Sequence, residues 1–242
     1  MPTRPSDVEA VAWQDFLRRM RDTWEPGQHV ALVGPTGERK TTFGAGICRT
    51  RRYVLALDQK GGDKTLGRLG WERRTKWPLN RRDMAAVARG EPVRRIMGST
   101  RRDQAARTAR RQLHREVLRG VMEQPGWTVL ASDLKALTAR QFGDAWDEVV
   151  ELLILARDAG TSLVTDFHGP RGVPPEVSEN ATFLGISYMR DMETVSDLAQ
   201  WMGRMPAEIR GAVDGLAKLP GSWIWVSRDP RAPIVVTVPE KL

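Results

Sequence analysis

The chain has 242 residues and a net charge of +8, from 38 Lys and Arg against 30 Asp and Glu. Its single cysteine, Cys48, excludes a disulfide framework and a cysteine-based zinc site, which favours a reducing, cytoplasmic location. No apolar run approaches the about 18 residues of a membrane helix, and the first residues lack the apolar core of a signal peptide. We therefore expect neither a secreted nor a membrane-spanning protein, but a chain of one domain or of a domain with insertions.

The order of predicted elements begins with an amphipathic helix over 7–24, for which Ser6 is a plausible N-cap. Short apolar runs between turn residues predict strands at 29–33, 53–57, 93–97, 127–131, 161–165, 182–187, 222–227 and 234–238. Helical composition predicts helices over 41–50, 100–123, 142–159, 191–203 and 206–217. Residues 64–92 show no clean period and are interpreted as an irregular insertion with short helices.

This alternation of strands and helices predicts an α/β fold around a mainly parallel sheet, with the last two strands forming a β-hairpin. We expect an N-terminal helix in residues 1–26 and a core domain over 27–238. A basic insertion is expected at about 61–125 within that domain.

A glycine-rich loop lies between the first predicted strand and the helix that follows it. Its sequence, Gly34-Pro-Thr-Gly-Glu-Arg-Lys-Thr-Thr42, approximates the P-loop pattern of Gly, four residues, then Gly-Lys-Ser/Thr. Lys40 would then reach the phosphates of ATP, Thr41 would bind Mg²⁺, and Gly37 suits an anion-binding loop. We expect Mg-ATP to bind at Gly34, Gly37, Lys40, Thr41 and Thr42. The second motif glycine is replaced by Arg39, whose β-carbon is expected to strain the loop.

A P-loop enzyme also needs an acid at the end of a buried strand, to orient magnesium and water. Asp133 ends the strand Val129-Leu-Ala-Ser-Asp and is the candidate. Ser132 stands where a first acid is usual, so Asp133 is interpreted as either the magnesium-side or the water-activating carboxylate. The alternative is an aspartate that only caps the next turn.

Positive charge is concentrated in residues 49–119, which hold 21 basic and 7 acidic residues. Localised basic charge is typical of a polyanion partner, usually nucleic acid. The candidate contacts to the DNA backbone are placed on the predicted helix: Arg101, Arg102, Arg107, Arg110, Arg111 and Arg115. Two alternatives stay open: a solvated arginine face paired with acids of a neighbouring subunit, and a codon bias toward arginine. Trp71 and Trp77 lie in the same segment and are candidates for base stacking.

The motifs, taken in order, resemble those of FtsK/HerA-superfamily ATPases. The resemblance spans about residues 27–217 and rests on Gly34–Thr42, Asp58–Gly61, the strand that ends at Asp133, Ala156–Gly160 and Leu163–Pro174. Small phage or actinobacterial members of that superfamily are the most similar in pattern.

The resemblance implies a RecA-like P-loop core, a homo-oligomeric ring such as a hexamer, and ATP-driven movement of DNA in a bacterial or phage-infected cell. It places His168 where the family has its sensor glutamine, and Arg157 where an arginine finger acts on the neighbouring subunit. Arg157 is equally interpretable as a helix C-terminal cation. The departures at residues 38–39, 132 and 168 leave a second reading, a non-hydrolysing or structural homologue that binds nucleic acid or a protein partner without motor activity.

Overall fold

A computed structural model describes residues 8–124, 126–140 and 143–240. Ten strands of these residues form one sheet in the order β1-β10-β9-β8-β2-β7-β6-β3-β5-β4. The strands are β1 (Val8–Ala10), β2 (His29–Val33), β3 (Tyr53–Leu57), β4 (Glu72–Arg74), β5 (Val93–Met97), β6 (Trp127–Ala131), β7 (Ser162–Phe167), β8 (Ala181–Ser187), β9 (Trp223–Ser227) and β10 (Ile234–Thr237).

Ten helices occur in the same described ranges, most of them in the connections between strands. They are α1 (Trp13–Thr23), α2 (Lys40–Cys48), α3 (Lys64–Gly67), α4 (Arg81–Ala88), α5 (Gln104–Gly120), α6 (Leu134–Thr138), α7 (Trp146–Leu155), α8 (Pro175–Asn180), α9 (Met192–Trp201) and α10 (Pro206–Leu216). None of these described helices is long and apolar enough to cross a membrane.

The sheet is mainly parallel, as predicted. The strand before the glycine-rich loop, β2, lies between β7 and β8 and is parallel to both. Antiparallel pairing among the described strands is confined to β8 with β9 and β9 with β10, so the C-terminal hairpin is also confirmed. The carboxyl ends of parallel strands lie on the same side of a sheet. The loops that follow β2, β6 and β7 therefore meet there.

The central strand β2 is buried on both sides, because helices cover both faces of the sheet. Ala31 and Val33 belong to one apolar core, whereas Leu32 belongs to the other. On the Leu32 side, the ring of Phe43 in α2 packs 4.8 Å from the ring of Trp223. Gly46 lets α1 approach α2, since a Cβ there would lie 2.5 Å from Cζ2 of Trp13.

The prediction of one helix over 7–24 was wrong at its start. Residues Val8–Ala10 form β1, which pairs in parallel with β10, and α1 begins only at Trp13. Pairing with the sheet edge outweighs the local helical periodicity of these residues. The proposed N-cap, Ser6, lies outside the described residues, as does Phe142 at the predicted start of the later helix that is seen as α7.

The insertion after β3 is more ordered than predicted. It contains α3 and α4, and its short strand β4 pairs with β5 at the edge of the sheet. Trp77 packs into the core against Trp127, with ring centroids 6.2 Å apart, and Trp71 packs against the apolar core on the Leu32 side. These contacts give both tryptophans a structural role.

Candidate nucleotide-binding site and basic cavity

The glycine-rich loop joins β2 to α2 and needs its first two glycines for different reasons. A Cβ on Gly34 would lie 1.9 Å from Oγ of Ser187, so this position packs against the end of β8. Gly37 has a φ of +94° and open space around it. Its backbone therefore adopts a conformation that other residues rarely take, with room for a bound group.

Arg39 occupies the left-handed region, with φ +56° and ψ +31°, immediately before α2. An L-residue with a β-carbon loses about 1–2 kcal/mol in this conformation, and glycine avoids that loss. The strain expected from the sequence is therefore present in the backbone. The side chain is exposed and lines the cleft beside the loop.

The ammonium group of Lys40 is held within its own loop. Nζ donates hydrogen bonds to the carbonyl oxygens of Gly34, at 2.7 Å, and Pro35, at 2.8 Å, and lies 3.2 Å from Nδ1 of His168. Burial lowers the pKa of Lys40, while Asp166 and Asp133 act to raise it. The structure thus brings the predicted phosphate-binding lysine and the predicted sensor position, His168, into direct contact.

Asp133 has a φ of +60° and precedes α6, where its Oδ1 accepts a hydrogen bond from the amide of Ala136 at 3.3 Å. Its Oδ2 lies 3.6 Å from Nζ of Lys60. The alternative of a capping aspartate is therefore observed. The same residue lines the cleft with Lys40, so the cap and a contact to a bound group are compatible.

Asp166 in β7 is a candidate residue that the sequence analysis missed. Its Oδ1 accepts a hydrogen bond from the amide of Asp133 at 3.0 Å, and its buried Oδ2 has no hydrogen-bond partner among the described residues. Burial raises the pKa of Asp166, against the lowering effects of the Asp133 amide and of Lys40. The available signal was a carboxylate inside the otherwise uncharged strand Ser162–Phe167.

These groups surround a cleft of about 580 Å³, which we call the nucleotide cleft. Its lining includes Thr36, Gly37, Arg39, Lys40, Thr41, Thr42, Lys60, Thr65, Arg68, Asp133, Asp166 and His168. Cations and loop amides at the start of α2 suit a polyphosphate. Hydroxyl and carboxylate oxygens of Thr41, Asp133 and Asp166 suit Mg²⁺, and the unpartnered Oδ2 of Asp166 is consistent with an oxygen that a bound group would engage.

Arg157 lies at the amino-terminal end of β2, whereas this cleft lies at its carboxyl end. A Cβ on Gly27, which precedes β2, would be 2.7 Å from Cα of Arg157, whereas the glycine-rich loop follows β2. The side chain is exposed. The structure does not bring Arg157 to the nucleotide cleft of its own chain, and its action on a neighbouring subunit stays a prediction.

The six predicted DNA-contacting arginines do not share one helical face. Arg101 and Arg102 precede α5, so the prediction that they lie on the helix was wrong; Asp103 caps the helix by accepting a hydrogen bond from the Ala106 amide. Arg110 is buried, and Nε of Arg115 donates to the buried carboxylate of Glu148 at 2.8 Å. Their contacts with DNA stay predictions.

A second cavity, of about 620 Å³, adjoins the nucleotide cleft between α5 and α6; we call it the basic cavity. Arg107, Arg110 and Arg111 line it from α5, and Lys135 lines it from α6. Lys60 and Asp133 line both spaces, so their ion pair lies in the wall that separates them. Among the described residues, no group of three or more His, Cys, Asp or Glu is arranged to hold a metal ion.

No protein-family model matches the chain, and no curated protein matches it. Several solved structures, however, are similar to the chain in fold. The genome-packaging NTPase B204 of Sulfolobus turreted icosahedral virus 2, in complex with ATP-γ-S, matches with a TM-score of 0.56 at 13% identity, over 89% of this chain and 98% of that one.

Two further solved structures are similar to the same extent. The conjugative coupling protein TrwBdeltaN70 matches with a TM-score of 0.57 at 12% identity, over 99% of this chain and 94% of that one. The cytoplasmic domain of the type VII secretion ATPase EccC of Thermomonospora curvata matches with a TM-score of 0.55 at 14% identity, over 90% of this chain and 26% of that one. The chain therefore has the RecA-like α/β fold of these solved structures, with a mainly parallel central sheet.

Proposed function

We propose that this chain is the ATP-binding subunit of a motor that moves DNA. The observation that carries the proposal is the meeting of Lys40, Asp133 and Asp166 in one cleft at the start of α2. The fold supports it, since proteins of similar structure include a genome-packaging NTPase and a conjugative coupling protein. The concentration of basic residues in 49–119 supports DNA as the partner.

Each residue of the cleft has a role that follows from its chemistry. The amides of the loop and of the first turn of α2 would bind the phosphates, and Lys40 would exchange its loop carbonyls for a phosphate oxygen. Thr41, Asp133 and Asp166 would hold Mg²⁺, which supplies charge neutralisation for the phosphates. His168, beside Lys40, would contact the terminal phosphate. Arg157 of an adjacent subunit in a ring, such as a hexamer, would complete the site.

The nucleotide part is tested by isothermal titration of Mg-ATP into wild type and Lys40→Ala. We expect the variant to lose binding, because the phosphates lose a buried cation. Lys218→Ala is the matched control, since Lys218 is exposed and lies outside the cleft. Equal ATP affinity in wild type and Lys40→Ala would contradict the assignment of the loop.

The motor part is tested by steady-state ATP hydrolysis with and without DNA. We expect DNA to raise the rate, because a translocating enzyme couples the two ligands. A measurable rate of ATP hydrolysis that DNA does not change would contradict the proposal of a DNA-moving motor.

A second candidate is a homologue that binds nucleotide without hydrolysing it. Two observations favour it: Asp133 already caps α6, and Arg39 strains the loop with a positive φ. Ser132 also stands where the first acid of the pair is usual, immediately before Asp133. For such a protein, Arg39→Gly combined with Ser132→Asp should raise turnover sharply above a wild type that binds ATP but hydrolyses little.

A further inference from the structure

The basic cavity holds a concentration of positive charge, of which only Lys60 is shared with the nucleotide cleft. Its described lining includes five cations and one acid, Asp133; the cations are Lys60, Arg107, Arg110, Arg111 and Lys135. Such a ratio in a concave space attracts an anion, because the low-dielectric walls focus the potential.

Arg110 adds a buried cation to the wall of this cavity. The residue is 4% exposed, and its guanidinium donates to the carbonyl oxygens of Ser99 and Arg101. Its buried Nε has no hydrogen-bond partner among the described residues, and none of their carboxylates lies within ion-pair distance of it. The nearby Asp58 is engaged by Arg73 at 2.6 Å. A buried cation with this incomplete compensation is stabilised by an anion in the cavity.

The opposite wall of the cavity is apolar. Ala136, Leu137 and Ala139 line it, and burial lowers the pKa of the neighbouring His114 to about 4, which keeps that ring neutral. Gln59 also lines the cavity, and both atoms of its amide lack a hydrogen-bond partner among the described residues. A ligand with an anionic end, a flat body and hydrogen-bonding edges matches these surroundings.

We propose that the basic cavity binds one nucleotide unit of a single DNA strand, with the phosphate beside Arg107, Arg110 and Lys135. The base or sugar lies against the apolar wall, where Gln59 can turn toward a base edge without giving up a hydrogen bond. A duplex keeps its bases stacked inside, so an apolar wall in a concavity favours the single strand. This inference rests on the proposed function, since it names where the DNA partner binds.

The position of the basic cavity would couple binding of the DNA strand to binding of the nucleotide in the neighbouring cleft. The ion pair between Lys60 and Asp133, 3.6 Å apart, lies in the common wall. Asp133 would be among the residues that hold a bound Mg-nucleotide, and Lys60 would then be free to turn toward the phosphate of the strand. Coupling of this kind is reciprocal, so the strand would also raise affinity for the nucleotide.

The test is fluorescence anisotropy of a labelled oligothymidylate across a series of salt concentrations, using the full chain. We compare wild type with the double variant Arg107→Ala/Lys135→Ala. The slope of log affinity against log salt should fall by up to about 0.7, the value for one lost phosphate contact of a single strand, because both cations serve the same phosphate. Arg81→Ala is the matched control, an exposed helical arginine of the same basic segment that lies outside the cavity. It should keep the wild-type slope.

Four further outcomes decide the proposal. An unchanged slope in the double variant, with strand binding retained in wild type, overturns the cavity assignment and leaves the proposed function standing. A duplex of equal length that competes as well as the single strand overturns the choice of strand. Thymidine monophosphate that displaces the oligonucleotide at matched phosphate concentration identifies a free-nucleotide site instead. Absence of any DNA binding by wild type, while ATP still binds, overturns this inference and the motor together but not the nucleotide site.

Discussion

The carboxylate of Asp166 accepts a hydrogen bond from the backbone amide of Asp133, with 3.0 Å between oxygen and nitrogen. This bond ties the end of β6 to β7 and leaves the second oxygen of Asp166 without a partner among the described residues. Two acids from neighbouring strands are thereby fixed beside Lys40, although only one of them was expected from the sequence.

Replacement of Asp166 by Asn should weaken Mg-ATP binding and, at neutral pH, raise the stability of the fold. Asp166→Asn keeps the shape of the side chain and removes its charge, so we expect weaker Mg-ATP binding and a loss of turnover. Because burial raises the pKa of Asp166, the wild-type fold favours the protonated acid and loses stability as pH rises above about 4. The Asn variant should therefore gain stability at neutral pH and show no gain at about pH 3. Urea unfolding of both proteins at the two pH values measures this; an Asn variant less stable at neutral pH would contradict it.

Relief of the backbone strain at residue 39 should stabilise the protein. Arg39→Gly removes the β-carbon from a left-handed position, and we expect a gain of about 1 kcal/mol in the free energy of unfolding. Arg39→Ala removes the same guanidinium and keeps the strained β-carbon, so it should give no such gain. Urea unfolding of the three proteins measures the difference. Equal stability of the glycine and alanine variants would show that φ at this residue is not a source of strain.

Two buried histidines should make the fold sensitive to acid. Burial lowers the pKa of both His29 and His114 to about 4, so both are neutral in the folded protein. Their contribution is fully present above about pH 6.5, the ordinary histidine value, and is lost as pH falls toward 4. Each contributes on the order of 3 kcal/mol across that window. His114→Gln should lose about half of this pH dependence in urea unfolding; an unchanged dependence would contradict it.

Arg115 distinguishes an internal ion pair from a contact to DNA. Its Nε lies 2.8 Å from the carboxylate of Glu148, which is buried and also pairs with Arg119. Arg115→Ala should therefore lower the free energy of unfolding by about 1–3 kcal/mol, since Glu148 loses a partner. We expect the salt slope of DNA binding to stay as in wild type. A stable variant with a reduced slope would instead support the contact predicted from the sequence.

Arg157 is tested by its effect on other subunits. If it completes the site of a neighbour in a ring, Arg157→Ala should fold, bind ATP and assemble, yet lose about 10³–10⁵ in turnover. It should also inhibit wild-type subunits in mixed rings. If it only interacts with the end of α7, the variant should lose about 0.3–1 kcal/mol of stability and keep its activity. Light scattering with and without ATP is the control for assembly, and a strict monomer in the presence of DNA would exclude the first outcome.

Sequence patterns predicted the elements that neighbouring residues determine, such as the glycine-rich loop and the apolar strands. Lys40 and Thr41 were identified because a strand, a glycine-rich turn and a helix follow one another in that order. The strands at 93–97 and 127–131 were predicted with their observed bounds. The short strand β4 was missed because Glu72, Arg73 and Arg74 have no apolar alternation, and only pairing with β5 makes them a strand.

The misses at the site also have physical causes. Asp166 occurs in a strand whose apolar pattern indicates burial, and nothing local shows that β7 lies between the strands that precede Lys40 and Asp133. The start of α5 was placed too early, although Asp103 is a good N-cap residue and marks the true start. Which arginines are paired within the chain depends on distant partners such as Glu148, whose position a single sequence does not show.

The packing of Phe43 has a spectroscopic consequence. This residue lies on α2 one turn after Lys40, and its ring contacts those of Trp223 and Trp225 at 4.8 Å and 6.0 Å. Both indoles are shielded from solvent, at 0% and 5% exposure. Any rotation of α2 on phosphate binding would change the surroundings of these two fluorophores directly. Tryptophan emission would then report movement of the loop and α2 without a label, over the emission of the other seven tryptophans.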